Sequence, residues 1–244
     1  MQRLFITFFV LISCQAQPKP EDNLSLVSLP ESLVAERLTP DYTSWDSLFQ
    51  ATGDQYDLDW MLAKAVMIKE SHCVERHVSY AGAVGLMQLM PREGSYFSAN
   101  YRAYQQARKS PDRVHQGKSQ TEWGNAYQAE LEEIAALKST DSIYQLDIRF
   151  DPKYNIKEGT RQLAGDYHFF RKQGHGPYTS QILAIAAYNA GRYAVMKNKL
   201  SPATDRIPIN RQTELYVGGV QKIYLALQSG NGQLSQDDLY LLKL

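Results

Sequence analysis

Trp60-Met61-Leu62-Ala63-Lys64-Ala65-Val66-Met67-Ile68-Lys69-Glu70-Ser71 is the stretch that decides the fold of this chain. Met61, Ala65 and Ile68 fall on one helical stripe with Leu62 and Val66 beside it, which is the period of an α-helix and not of a strand. A helix this apolar over so much of its surface is buried. Asp57 or Asp59 stands where a cap would start it. Glu70 then leaves the core at the C-terminal end, where apolar surroundings and the negative end of the helix dipole both disfavour an ionised carboxylate. The plain alternative is a helix-end Glu that is simply solvated.

The same periodicity extends outward. Trp45, Leu48 and Phe49 predict a helix before this one, and after the turn at Asp151-Pro152 the residues Ile156, Leu163, Tyr167 and Phe170 carry another as far as Gly174. Ile182 to Gly191 predicts a short Ala-rich apolar helix, and Thr213 to Leu227 a last amphipathic one. No segment shows a period-two strand pattern, so the expected class is mainly α. Between them, 92–150 reads as an inserted helical hairpin, with Phe97, Tyr101 and Tyr104 on one arm and Tyr127, Leu131, Ile134 and Ala135 on the other. Its charges segregate: Arg102, Arg108, Lys109, Arg113 and Lys118 precede Glu130, Glu132, Glu133, Asp141 and Asp147. Two solvated faces pairing with each other is the favoured reading, and a surface for a protein partner is the other. The domain is expected at 43–228, with Ser229-Gly230-Asn231-Gly232 opening a tail, 229–244, of no evident role.

After Glu70-Ser71 the chain runs Ser79-Tyr80-Ala81-Gly82-Ala83-Val84-Gly85-Leu86-Met87-Gln88-Leu89-Met90-Pro91, in which glycines let backbone approach a ligand and Gln88 offers both donor and acceptor. Much later comes Ala187-Tyr188-Asn189-Ala190-Gly191. Glu70-Ser71, then Gly85 to Pro91, then Ala187 to Gly191, in that order, resemble the catalytic motifs of the soluble lytic transglycosylases, lysozyme-like enzymes that cut bacterial peptidoglycan.

The resemblance covers roughly 45–91 and 151–224, and implies a lysozyme-like helical domain acting on glycan strands. It implies Glu70 as the sole general acid and base, and Ser71 as a neighbour hydrogen-bonding within the sugar site. It further implies Met87 and Gln88 lining the groove, Tyr188 and Asn189 contacting the sugar or its acetamido group, and Tyr216 as a cleft tyrosine in the Thr213 to Val220 segment. Cleavage would be assisted by the muramyl acetamido group and completed by the sugar's own C6 hydroxyl. No motif marks the second carboxylate that an ordinary glycosidase needs. Gln212 and Glu214 flank Thr213 where the family often has an acid and an Arg, Gln162 replaces a frequent aromatic, and the 92–150 insertion exceeds the usual connection. A goose-type hydrolase on the same fold and a catalytically silent wall-binding scaffold are the alternatives.

Composition excludes other classes. The 244 residues are 43% apolar and 21% charged, as in ordinary globular proteins, and 26 basic residues equal 26 acidic ones, so no global field draws the chain to nucleic acid. No Cys/His spacing suggests a metal site, and no cofactor is expected. Arg3 precedes an apolar stretch from Leu4 to Ile12, the length of a signal-peptide core and too short to span a bilayer. Leu11-Ile12-Ser13-Cys14 resembles a bacterial lipobox, which implies a signal peptide at 1–13, a lipidated Cys14 anchoring the protein to a membrane, and a Pro-punctuated tether over 14–42; an incidental Cys14 after a plain signal is the alternative. With only Cys14 and Cys73 in the sequence, no disulfide framework is available, and Cys73 is read as a small buried residue. Gln15 after Cys14 points to the periplasmic face of an outer membrane; a Gram-positive membrane is the alternative.

Overall fold

The computed structural model describes residues 42–92, 95–109, 114–197 and 210–242. The signal peptide, Cys14 and the tether as far as residue 41 therefore lie outside the described residues, while Tyr42, expected as the tether's last residue, is buried in the main core. Helices are α1 (Asp46–Tyr56), α2 (Trp60–Ser71), α3 (Ala99–Ala107), α4 (Gln120–Ala135), α5 (Thr140–Leu146), α6 (Pro152–Lys172), α7 (Pro177–Ala190), α8 (Arg192–Lys197), α9 (Arg211–Ser229) and α10 (Gln236–Leu242), with a 3-10 turn at Ile148–Phe150. Among the described residues there is no strand, only isolated bridges such as Val84 with Leu89. The chain is mainly α, as its periodicity predicts.

The central helix is α2. Asp59 caps it by accepting a hydrogen bond from the Met61 N–H at 2.9 Å. From Leu62 to Ile68 every side chain is buried. Helices α1 and α9 pack on it directly and α6 touches it, while α6 lies along α7, so that Phe49, Ile156, Leu163, Phe170, Val217 and Val220 share one core with it.

That unbroken burial includes a charge. Lys64 is 0% exposed, and its Nζ donates to the Gly232 carbonyl at 2.7 Å. Nζ also lies 2.6 Å from Asp46, a close charge contact without hydrogen-bond alignment. The tail thus completes the solvation of a core cation, and Leu234, Leu239 and Leu242 pack against the main core. Sequence reading ended the domain at 228 because nothing local marks a carbonyl as the partner of a lysine so far away in the chain.

The insertion carries a second core of Val84, Tyr127, Leu131, Ile134, Ile143 and Phe150. Helices α3 and α4 form the expected hairpin, joined by the Tyr101 and Tyr127 rings at 4.8 Å, and the short α5 follows. The segregated charges do not pair as expected. Among the described residues no ion pair joins the two groups: Arg108 and Lys118 lie over the rings of Tyr104 and Trp123, Glu130 accepts from Asn100, and Asp147 turns inward to Arg149. Exposed pairs gain little in water, and aromatic packing holds the arms instead.

Ending the chain after Ser229 should lower stability by about 3 kcal/mol, because Lys64 loses its carbonyl and stays buried. Adding Lys64→Met to the shortened chain should recover part of that loss. Urea unfolding of the three proteins measures both effects, and an unchanged midpoint on truncation would refute the coupling.

Candidate active site

Two successive residues in left-handed backbone, His72 (φ 50) and Cys73 (φ 63), stop α2 and turn the chain sharply away. Glu70 is left in the last turn, only partly exposed, at the edge of the core. The returning chain forms a compact loop. Val84 and Leu89 exchange both backbone hydrogen bonds, at 3.1 and 3.0 Å, Gly85 N–H donates to the His77 carbonyl at 2.9 Å, and the Ala83 N–H donates to Ser79 Oγ at 2.9 Å.

Three buried side chains from 147–155 hold this loop. The Arg149 guanidinium, 0% exposed, donates to the carbonyls of Gly82 and Leu89 at 2.7 and 2.9 Å and to the Asp147 carboxylate at 2.6 Å. Asn155 donates through Nδ2 to the Val84 carbonyl at 2.8 Å and the Arg149 carbonyl at 2.7 Å, while its Oδ1 accepts from the Met87 N–H at 2.6 Å. Gly85 is required where Asn155 enters. Its φ is 83°, and a Cβ there would stand 2.3 Å from Asn155 Nδ2.

Of the sequence-derived residues, Tyr216 bonds directly to Glu70 and Tyr188 lies close enough to feel its charge, and the others have partners elsewhere. Met87 does not line a groove: it is 0% exposed, and its side chain fills the space left by the missing side chain of Gly159, where a Cβ would come within 2.6 Å. Ser71 is buried, and its hydroxyl donates to the Met67 carbonyl one turn back at 3.2 Å, which commits its proton within its own helix. The Gln88 amide nitrogen is committed to the His77 and Gly85 carbonyls at 3.1 and 2.9 Å, which stabilises its positive φ of 48°. Tyr188 donates to the Met87 carbonyl at 2.7 Å and so clasps the loop. Tyr216 donates to Glu70 Oε1 at 2.6 Å. Asn189 is exposed at the end of α7, its Oδ1 accepting from Thr213.

Burial pushes the Glu70 carboxyl up to about 7, against the Tyr216 hydrogen bond and the Lys69 charge, which both favour the ionised form. Desolvation therefore wins. Burial and the neighbouring Glu70 carboxylate hold the hydroxyls of Tyr188 and Tyr216 well above their ordinary range, so both remain donors. The arrangement provides a protonated acid near neutral pH, with one oxygen held by a phenol and the other available.

A cavity of about 640 Å³ opens among Asp54, Asp57, Tyr167, Tyr178, Gln181 and Tyr224, near the N-terminal end of α2 and about 16 Å along that helix from Glu70. That cavity is remote from the perturbed carboxyl and its tyrosines, which are the candidate site. Among the described residues no group of three or more His, Cys, Asp or Glu side chains converges as metal ligands would. Arg149 and Asp147 escaped sequence reading, since a charge at either position looks like surface. Thr213 marks only a segment in the sequence, and nothing local singles out Asn155.

A helical domain that presents one raised carboxyl between a pinned glycine loop and two tyrosines defines a class of acid–base site. Comparison with known proteins places it further: residues 47–133 and 135–207 match the family model "Transglycosylase SLT domain", and the chain belongs to that family. Membrane-bound lytic murein transglycosylase F of Cellvibrio japonicus is 30% identical over 83 residues, 34% of this chain and 17% of that protein. Lytic transglycosylase Slt of Pseudomonas aeruginosa, in the structure of an inactive variant, shares 20% identity over 80% of this chain and 26% of its own, with a TM-score of 0.46. The chain spans only a minor part of either protein's length.

Arg149→Met should cost about 3–5 kcal/mol in urea unfolding, because it leaves Asp147 buried without its counter-charge. A cost below about 1 kcal/mol would show that the loop does not depend on this pair. Glu70 gives a second expectation. Between about pH 4.5 and 7 the native carboxyl keeps a proton that the unfolded one has lost, so native stability falls across that window and levels off above it. Glu70→Gln should remove this fall and melt higher than the parent at pH 8, with the difference shrinking by pH 4.5; parallel melting curves across pH would contradict it.

Proposed function

We propose that this chain is a peptidoglycan lytic transglycosylase, cleaving the β-1,4 bond between MurNAc and GlcNAc and leaving 1,6-anhydromuramyl ends. The observation that carries the reading is Glu70: a single carboxyl raised to about 7, with no other carboxylate among the groups that perturb it. Among the described residues no second carboxylate perturbs Glu70, as a close partner in a two-carboxylate mechanism would.

Glu70 acts first as an acid. Tyr216 holds Oε1, so Oε2 carries the proton that passes to the glycosidic oxygen as the C1–O bond breaks and GlcNAc leaves. The muramyl acetamido oxygen meets the electron-poor C1. The Glu70 carboxylate, now ionised beside Tyr216, takes the proton of the C6 hydroxyl, and O6 closes on C1 while the acetamido group withdraws. The proton returns to Glu70 and no water is consumed. Holding O6 within the same sugar makes this closure effectively unimolecular.

Attachment to a membrane through lipidated Cys14, on the periplasmic face of an outer membrane, belongs to the same proposal and rests on the sequence of 1–15. Among the described residues no helix is long and apolar enough to cross a membrane. A role of 92–150 in meeting a protein partner is likewise proposed from its length and separate core.

Purified sacculi treated with the full-length protein in detergent should release muropeptides ending in anhydromuramic acid, one water lighter by mass spectrometry than reducing ends. Reducing ends would replace this reading by hydrolysis, and no release from a folded protein would replace it by a binding role. Activity should fall as pH rises through about 7, when Glu70 loses its proton before encounter. Glu70 adds no acidic limb, because its basic form is generated by the reaction itself. Glu70→Gln should lower the rate at least about 10³-fold with the fold retained.

A further inference from the structure

The cavity at the far end of α2 takes no part in the reaction above, and its walls come from the end of α1, the start of α2, α6, the start of α7 and α9. At about 640 Å³ it has the size of a small-ligand site. Leu58 and Leu62 are its buried part, and Tyr167, Tyr178 and Tyr224 supply three aromatic rings. Two of these rings are held by their hydroxyls. Tyr224 donates to Asp59 Oδ2 at 2.6 Å and accepts from Gln228 Nε2 at 2.8 Å, and Tyr178, 68% exposed, accepts from Gln221 Nε2 at 3.2 Å. A ring so exposed contributes little to packing, yet it is tied from α7 across to α9 at the mouth of a cavity.

The charge in this cavity is of one sign. Asp54, Asp57 and Asp59 line it, and among the described residues no basic side chain does. Asp59 is occupied by the Met61 N–H and by Tyr224, whereas Asp54 and Asp57 enter no ion pair among the described residues. Both sit at the C-terminal end of α1, whose last turn holds no basic residue. At that end of a helix a cation is favoured and a carboxylate opposed. The fold thus keeps two carboxylates where local stability asks for the opposite sign, beside ring faces that attract cations. A walled cleft of one sign concentrates the opposite charge. Among the described residues no three acidic, His or Cys side chains converge as metal ligands would, so the complementary ligand is an organic cation and not a bare ion. A neutral sugar would leave the carboxylates uncompensated.

We propose that this cavity is a second binding site, for a primary alkylammonium group presented by the peptides of the cell wall. The alkyl chain lies against the tyrosine rings, and the ammonium meets Asp54 and Asp57. Peptidoglycan strands carry short peptides with a diamino acid whose second amine is free wherever no cross-link has formed, and the choice of this source rests on the peptidoglycan-cleaving reading. The cavity lies about 16 Å along α2 from Glu70, so the amine it holds is separate from the bond being cut. Occupied, it holds the enzyme to wall that is not cross-linked.

Cosedimentation tests this without turnover. The full chain carrying Glu70→Gln, in detergent, is mixed with purified sacculi and with sacculi whose free amines have been acetylated. Binding to the acetylated wall should be about tenfold weaker, the scale of one desolvated cation contact. Adding Asp54→Asn and Asp57→Asn should bring the two sacculi to within about twofold of each other. Asn tolerates the left-handed backbone of Asp57 (φ 51), so the fold is kept. Tyr178→Leu, at an exposed ring, should reduce the acetylation effect to about threefold. No effect of acetylation, or an effect undiminished in the chain with both Asp changes, would overturn the site. Amine-dependent binding of a soluble lysine peptide, with no acetylation effect on sacculi, would overturn the wall source and assign the cavity to a protein partner. Binding to neither sacculus would overturn the inference, and muropeptide release by the Glu70 parent would then decide the cleavage reading by itself. An acetylation effect alongside a parent that releases no muropeptides would leave the cavity assignment standing and remove only the cleavage reaction.

Discussion

A guanidinium with no water around it is the constraint on which the site depends. Arg149 donates to the Asp147 carboxylate, to the carbonyls of Gly82 and Leu89, and to the Tyr127 hydroxyl at 3.3 Å. These partners lie in three parts of the chain: the segment after α5, the glycine loop, and α4. A buried ion is tolerated only when its hydrogen-bonding capacity is met with good geometry, so these partners cannot drift independently. The insertion core and the loop beside Glu70 are thereby made one mechanical unit. Asn155, one turn into α6, extends the same logic by tying the loop to the main core.

Glu70 sits where three such structures meet. The helix α2 brings it to the edge of the core, the pinned loop closes over the next turn, and α9 delivers Tyr216. Burial raises its proton affinity while the phenol lowers it, and the outcome near 7 reflects the first exceeding the second. Both influences are needed. Burial alone would give a neutral acid in no particular orientation, and the phenol alone would give an ordinary carboxylate. Tyr188 holds the loop through the Met87 carbonyl, so the two tyrosines serve the carboxyl differently: one touches it, the other steadies the loop.

What could be read from the sequence divides by range. The helices and Glu70 itself follow from local periodicity, and the core residues Phe49, Ile156, Leu163 and Phe170 are buried where the period places them. Met87 could not be read this way. Its burial depends on Gly159, on another helix, having no side chain, and a Met beside a flexible loop looks equally suited to a cleft. Asp147 looked like one more member of an acidic arm because a buried carboxylate differs from a solvated one only through a partner that folding supplies. The residues that hold the site were hidden because they are polar groups inside, the one arrangement that composition and period argue against.

The contact between Lys64 and the Gly232 carbonyl has a consequence for the order of events in synthesis. The oxygen that receives the buried ammonium of the helix bearing Glu70 lies 168 residues further along the chain, so it leaves the ribosome long after that helix is complete in sequence. Until then the helix cannot reach its final burial without leaving a charge incompletely satisfied. Synthesis past Gly232 is thus a condition for a finished helix, which delays the acid at Glu70 until the chain has grown that far.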